Sequence, residues 1–280
     1  MQFRVALGQA ATALENAGIE EPRLDAEVLL AHALGITRAQ LHAHPQRQLS
    51  TVELAHYRQL IERRARREPV AYIVGHKEFY GLDFFVDNRV LIPRPETELL
   101  VERGLEMAQA RNLRLIADVG TGCGAIAVSL AVHLPQALLY ATDASPAALE
   151  VAAHNCRRHG VEDRVRLLQG YLLEPLPEPV DLIVANLPYV SAAEWAQLPP
   201  EVSRYEPREA LHGGPDGLNH IRSLLAQAGG YLKPAGAILL EIGATQGEAV
   251  ITLAKRYFPA ARVEIVQDYA RLNRIVIVRT

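Results

Sequence analysis

Asn186-Leu187-Pro188-Tyr189 closes the apolar run Val180-Asp-Leu-Ile-Val-Ala185, and these four residues suit the grip of a planar NH2 group. The nitrogen of an amide or aromatic amine is a weak nucleophile because its lone pair is delocalised into a π-system. Accepting both of its N–H bonds in a geometry that favours a pyramidal nitrogen restores nucleophilicity. The side-chain oxygen of Asn186 is one such acceptor and the backbone carbonyl of Leu187 is the other. Pro188 fixes its own φ and pushes Leu187 towards an extended conformation. Tyr189 offers a flat face to the planar group. On this reading residue 187 contributes through its backbone alone. Asn and Pro are also ordinary turn formers, so the tetrapeptide by itself is equally a plain strand exit.

A second string changes that balance. Asp118-Val-Gly120-Thr121-Gly122-Cys123-Gly124 lies between a strand-like and a helix-like run, where glycines let the backbone turn sharply and approach a ligand. Its glycines recur at every second residue, unlike the G-x-G-x-x-G that opens a helix over a pyrophosphate. A pyrophosphate gains little from a neighbouring Asp118, whereas a cationic amino acid and a sulfonium gain much. The next strand-like run, Leu138-Leu-Tyr-Ala-Thr-Asp143, ends on a carboxylate able to accept from both hydroxyls of a ribose. The competing reading of Asp143 is a helix N-cap shared with Ser145. Tyr171 either lies against an adenine or fills the core. Loop, acid and tetrapeptide in this order point to S-adenosylmethionine and to methyl transfer onto nitrogen. That reaction is an in-line displacement in which proximity supplies much of the rate. It needs no strong general base, because the proton becomes acidic once the nitrogen is alkylated.

These residues need a frame. From Glu96 onward, strand-like runs at 113–118, 138–142, 165–169, 180–185, 237–242, 263–266 and 274–278 alternate with helical stretches at 96–110, 124–133, 146–159, 217–232 and 245–257. Such alternation predicts an α/β fold with a mostly parallel sheet covered on both faces. Only a short polar stretch separates the last two strands, so they are expected to pair antiparallel at an edge. Before this, Lys77-Glu-Phe-Tyr-Gly-Leu-Asp-Phe-Phe-Val86 reads as a β-hairpin around Tyr80-Gly81. Residues 73–93 are taken as a connector and 94–280 as the catalytic domain. Residues 1–72 carry apolar positions at helical spacing, with Gly18 and Gly35 as stops and Ser50 as an N-cap, and predict a small all-helical domain. Ser191 to Gly214 reads as a long irregular stretch, and such loops tend to be functional.

Bulk properties restrict the alternatives. With 280 residues, 49% of them hydrophobic and 22% charged, the chain is an ordinary globular composition. No apolar run approaches the ~20 residues of a membrane span, and no signal peptide is read at the start, so a cytoplasmic protein is expected. Two cysteines supply no disulfide framework, and the ten histidines show no metal-binding spacing; no metal is expected. A net charge of −3 disfavours a nucleic-acid substrate. The exception is the basic run Glu62-Arg-Arg-Ala-Arg-Arg-Glu68, either a solvated helix face or a contact for an acidic or RNA-bearing partner.

Several longer strings carry a resemblance. Arg23-Leu-Asp-Ala-Glu-Val-Leu-Leu30, Glu68-Pro-Val-Ala-Tyr-Ile-Val-Gly75, Leu91-Ile-Pro-Arg-Pro-Glu-Thr-Glu98, Glu206-Pro-Arg-Glu-Ala-Leu-His-Gly-Gly214 and Glu241-Ile-Gly243, with the loop and tetrapeptide, resemble the HemK/PrmC family of glutamine N5-methyltransferases. The resemblance implies a seven-stranded, Rossmann-like class I methyltransferase domain behind the helical one. It implies S-adenosylmethionine as donor, leaving S-adenosylhomocysteine, held by Asp118, Gly120, Thr121, Gly122, Cys123, Gly124, Asp143, Tyr171 and Asn186. It further implies that Asn186 to Tyr189 grip the glutamine of the Gly-Gly-Gln loop of class 1 peptide chain release factors. Arg94, Pro95, Glu96 and Thr97 would shape the pocket entrance, the helical domain would dock the partner, and the enzyme would act as a monomer. Two departures stand out. The family usually has Asn-Pro-Pro-Tyr where this chain has Leu187, and it often has an acid where this chain has Gly170. Asn-Leu-Pro-Tyr also looks like the active-site string of rRNA adenine dimethyltransferases, which makes N6-adenine methylation of RNA the competing activity. A binding module that retains only the fold is the third reading.

Overall fold

A computed structural model describes all 280 residues. Grouped by proximity, they form one unit of residues 1–76 with 199–205 and a second of 77–198 with 206–280. The expected connector is therefore not a separate piece. Most of it belongs to the second unit, because buried Asn155 bonds both the N–H (2.8 Å) and the carbonyl (3.0 Å) of Phe85.

The first unit is helical, as its periodicity requires. Helices Phe3–Asn16, Pro22–Leu34 and Thr51–Ala65 enclose a core that includes Phe3, Leu14, Leu29, Leu30 and Tyr57. Ser50 caps the third of these in a reciprocal pair with Glu53, and Gly35 ends the second with φ 63°. The basic run is largely consumed by ion pairs within this unit. Arg63 pairs with Glu68, while Arg64, only 7% exposed, binds Asp25 and Glu201. Arg67 also binds Glu201, which lies on the short helix Pro200–Tyr205.

In the second unit β1 (His76–Phe79) and β2 (Leu82–Phe85) form the hairpin. Both central residues have positive φ, Tyr80 at 52° and Gly81 at 72°, the requirement of a two-residue turn matched to strand twist. The main sheet comprises β3 (Leu115–Val119), β4 (Leu138–Asp143), β5 (Val165–Gln169), β6 (Val180–Ala185), β7 (Leu232–Glu241), β8 (Arg262–Gln267) and β9 (Asn273–Arg279). Its order is β5-β4-β3-β6-β7-β9-β8. The first five strands in that order run parallel, and β9 pairs antiparallel with both β7 and β8, leaving β8 at the edge. Strand β7 starts earlier than its pattern suggests, since Leu232 pairs with Val180 ahead of a register shift.

This order decides where a ligand can sit. Strand β3 lies between β4 on one side and β6 on the other, so the chain winds in opposite senses from it. A crevice opens at the carboxyl ends of such strands. The three strings singled out from the sequence leave the sheet there: the glycine loop from β3, Asp143 from β4 and the tetrapeptide from β6.

Candidate active site

The glycine loop is built on a buried acid. Asp118 is 0% exposed; its Oδ2 accepts from the Thr121 hydroxyl at 2.7 Å and from the Ala127 N–H at 3.0 Å. Burial pushes its carboxyl up to about 7, against the opposing pull of those two hydrogen bonds. Its other oxygen, Oδ1, is buried without a partner. Asp118, Thr121, Cys123 and Gly124 stand behind the loop rather than along the cavity it borders. The Cys123 carbonyl accepts from Asn155 Nδ2 at 2.9 Å, and burial raises the Cys123 thiol to about 12, which removes it as a nucleophile.

Gly120 and Gly122 do border the cavity, together with Asp143, Tyr171, Asn186 and Pro188. The cavity encloses about 170 Å³ and opens to solvent. Gly122 has φ 56°, and a Cβ there would meet no protein atom within 4 Å, so its backbone faces open space. Asp143 is held by two backbone donors, Gly122 N–H on Oδ2 at 2.9 Å and Ser145 N–H on Oδ1 at 2.8 Å. Burial raises its carboxyl, opposed by those same bonds. Ser145 caps the following helix itself through the Ala148 N–H, so Asp143 is left to the cavity. Tyr171 is exposed on the rim beside His220, with ring centroids 6.3 Å apart. His220 lines the cavity too, and burial lowers its pKa.

A smaller cavity of about 30 Å³ lies alongside and shares Leu91, Asn186, Pro188 and Ala210 with the first. Leu187, Tyr189 and Arg94 complete much of its lining. Arg94 is fixed by an ion pair to buried Glu206, whose other oxygen accepts from the Ile92 N–H at 3.1 Å. Asn186 donates through Nδ2 to the Thr97 hydroxyl at 3.0 Å. The Tyr189 hydroxyl points to Glu241 Oε1 at 3.4 Å, and the Tyr189 carbonyl accepts from Gln246 Nε2 at 2.9 Å. Gly213 is glycine by necessity, because a Cβ there would stand 2.5 Å from the Pro188 carbonyl oxygen.

The sequence expectations thus divide. Arg94 reaches the smaller cavity. Pro95 and Glu96 face a different cleft beside Tyr269, and Thr97 is 4% exposed beneath Asn186. Leu187 is more than a backbone carrier: its side chain is 3% exposed, sits in the core, and places Cδ2 3.1 Å from where a Gly120 Cβ would be. Glu206, Glu241, Gln246, Asn155 and His220 were given no role. For the first two the available signal was their place in the strings Glu206-Pro-Arg-Glu-Ala-Leu-His-Gly-Gly214 and Glu241-Ile-Gly243.

Residues 6–75 match the family model of the PrmC N-terminal domain, and residues 95–198 match that of the methyltransferase small domain. A release factor glutamine methyltransferase of Moorella thermoacetica is 48% identical over 275 residues, covering 98% of this chain and 97% of its own. The chain belongs to the release factor glutamine methyltransferase family. A second member, from Chlorobaculum tepidum, is 43% identical over 91% of this chain and 90% of its own. Among solved structures, a ribosomal protein L11 methylase from Lactobacillus delbrueckii superposes with a TM-score of 0.51 at 22% identity, over 70% of this chain and 84% of that one, a likeness of fold. As a methyltransferase of this family, the enzyme uses S-adenosylmethionine as its donor. At the two positions singled out from the sequence, Leu187 Cδ2 lies 3.1 Å from where a Gly120 Cβ would stand, and a Cβ at Gly170 would lie 2.9 Å from the Pro175 ring.

Proposed function

We propose that this enzyme transfers the methyl group of S-adenosylmethionine to the side-chain amide nitrogen (N5) of the glutamine in the Gly-Gly-Gln motif of class 1 peptide chain release factors, modulating translation termination. The observation that carries this reading is the orientation of Asn186. Its Nδ2 is engaged by Thr97, which leaves Oδ1 as the acceptor at the junction of the two cavities. An amide substrate offers two N–H donors there, one for Asn186 Oδ1 and one for the Leu187 carbonyl.

The larger cavity fits the donor. Asp143 presents an oriented carboxylate to hydroxyls, Gly120 and Gly122 present backbone rather than side chain, and Tyr171 and His220 offer ring faces for a base. When bound there, S-adenosylmethionine supplies an electrophilic methyl on a sulfonium. The chain's own part is to hold the nucleophile. Asn186 Oδ1 and the Leu187 carbonyl draw the two N–H bonds out of conjugation, the Tyr189 ring backs the carboxamide plane, and Arg94 shapes the entrance.

We infer a release factor as the partner, which the family membership supports, and a monomer acting in the cytoplasm. No helix is long and apolar enough to cross a membrane. The competing activity on RNA draws no support from the basic run, since Arg63, Arg64 and Arg67 are committed to carboxylates. The test is incubation with labelled S-adenosylmethionine and, separately, purified release factors and rRNA. Label confined to the glutamine-bearing peptide of the release factor is expected; label in rRNA alone refutes the proposal.

A further inference from the structure

An amide side chain is nearly symmetric in shape, so the reading above depends on something that prevents Asn186 from turning over. If the carboxamide rotated by half a turn, Nδ2 would face the cavity and repel the N–H groups it is supposed to receive. The structure holds an unused set of groups at this point. Behind Asn186 lies Thr97, 4% exposed, and behind Thr97 lies Glu241, 1% exposed, at the end of β7. Asn186 Nδ2 donates to Thr97 Oγ1 at 3.0 Å. The Thr97 hydroxyl in turn faces the Glu241 carboxylate and favours its ionised form. Tyr189 points its hydroxyl at Oε1 of the same carboxylate at 3.4 Å. Glu241 Oε2 is fully buried and has no partner within hydrogen-bond distance.

We propose that Glu241 and Thr97 are positioning residues that lock the Asn186 carboxamide with Oδ1 towards the substrate and hold the Tyr189 ring against it. When Glu241 is ionised its carboxylate only accepts, so the Thr97 proton turns to it and the Thr97 lone pair is left for Asn186 Nδ2. A flipped Asn186 would need the Thr97 proton for itself and would leave the buried Glu241 carboxylate with the long Tyr189 contact alone, a costly arrangement in a dry site. The long Tyr189 contact and the bare Oε2 describe a relay that closes when substrate fills the smaller cavity, as hydrogen bonds of active sites commonly do. Around Glu241, Arg274 favours the ionised form and Glu96 opposes it, while burial is the largest influence and raises the group to about 7.

This inference rests on the amide reading, and its test separates the two. Thr97→Val, Thr97→Ser and Glu241→Gln are compared with wild type for kcat and KM on the release factor and for S-adenosylmethionine Kd. The Asn186 side-chain NH2 signal is followed in 15N–1H spectra, assigned through its loss in Asn186→Asp. Thr97→Val is expected to lower kcat roughly ten- to hundredfold while KM and Kd stay within about threefold. Thr97→Ser should recover most of that loss, and the Asn186 NH2 signal should shift in Thr97→Val and in Glu241→Gln. Should Thr97→Val fail to fold, Glu241→Gln carries the same readouts. Wild-type turnover in Thr97→Val, a loss that Thr97→Ser does not rescue, or an unmoved NH2 signal overturns the relay. A wild-type enzyme that leaves the release factor unmethylated overturns the amide reading alone, because the NH2 signal tests the relay without turnover.

Discussion

The donor loop and the tetrapeptide share one crevice and are held in opposite ways. The loop is held by nearby chain: Thr121 and Ala127 bond Asp118 within one strand–turn–helix segment, and Thr142, Asp143 and Asn155 join from the next strand and helix. The tetrapeptide depends on distant chain. Thr97 orients Asn186, Glu241 faces Tyr189, Gln246 takes the Tyr189 carbonyl, and Gly213 makes room beside Pro188. A site that binds a constant donor can be written locally. A site that must orient a weak nucleophile draws on three other stretches of chain, around residues 97, 213 and 241–246.

Substitutions that strike one side and spare the other sharpen this contrast. The largest effect belongs to the reacting group: Asn186→Ala should lower kcat about 10²–10³-fold, the loss for removing one preorganised hydrogen-bonding group at a reacting centre. Calorimetry should still detect donor binding by that variant; full turnover would break the comparison. Leu187→Ala should cost roughly 2–5 kcal/mol of stability in denaturant titration, the range for an emptied leucine site. A loss under about 0.5 kcal/mol, as at indifferent surface positions, would return residue 187 to a purely backbone role. Asp143→Ala should weaken donor binding by roughly 2–3 kcal/mol with kcat at saturation little changed.

The smallest effect is a pH dependence. The Asp118 carboxyl stands at about 7 in the fold against 3.8 for the free side chain. A group raised in this way contributes stability that is complete below its unfolded value and lost as pH rises through its folded one. The donor-free protein should therefore lose melting temperature as pH increases through 7. Asp118→Asn should lose less, by about 3 °C or more. Glu241 and Asp143 contribute with the same sign, so the difference between variant and wild type is the measured quantity. Parallel curves for the two proteins would show that Asp118 is not the titrating group.

The same contrast explains what the sequence disclosed. Strand and helix order, the hairpin at Tyr80-Gly81 and the antiparallel end of the sheet were legible because periodicity and turn residues are local signals. So was the meeting of Gly120, Gly122, Asp143 and Asn186, since a parallel sheet brings successive strand ends to one edge. Glu241 and Thr97 were illegible in role, because nothing near either residue says that Asn186 lies between them and the cavity. The short helices Ala192–Trp195 and Pro200–Tyr205 are too brief to show a period, and this stretch read as irregular. The membership of 199–205 in the helical unit depends on Glu201 meeting Arg64 and Arg67, a pairing across nearly half the chain. The burial of the Leu187 side chain was not legible, because one of its near neighbours, Gly120, has no side chain to announce a contact.

The central claim is that the methyl group ends on a carboxamide nitrogen, and base hydrolysis of the labelled release factor tests it most directly. A methylated side-chain amide must release volatile labelled methylamine and leave unlabelled glutamate. Labelled methanol, the product of a methyl ester, or label that stays on the amino acid would contradict the account.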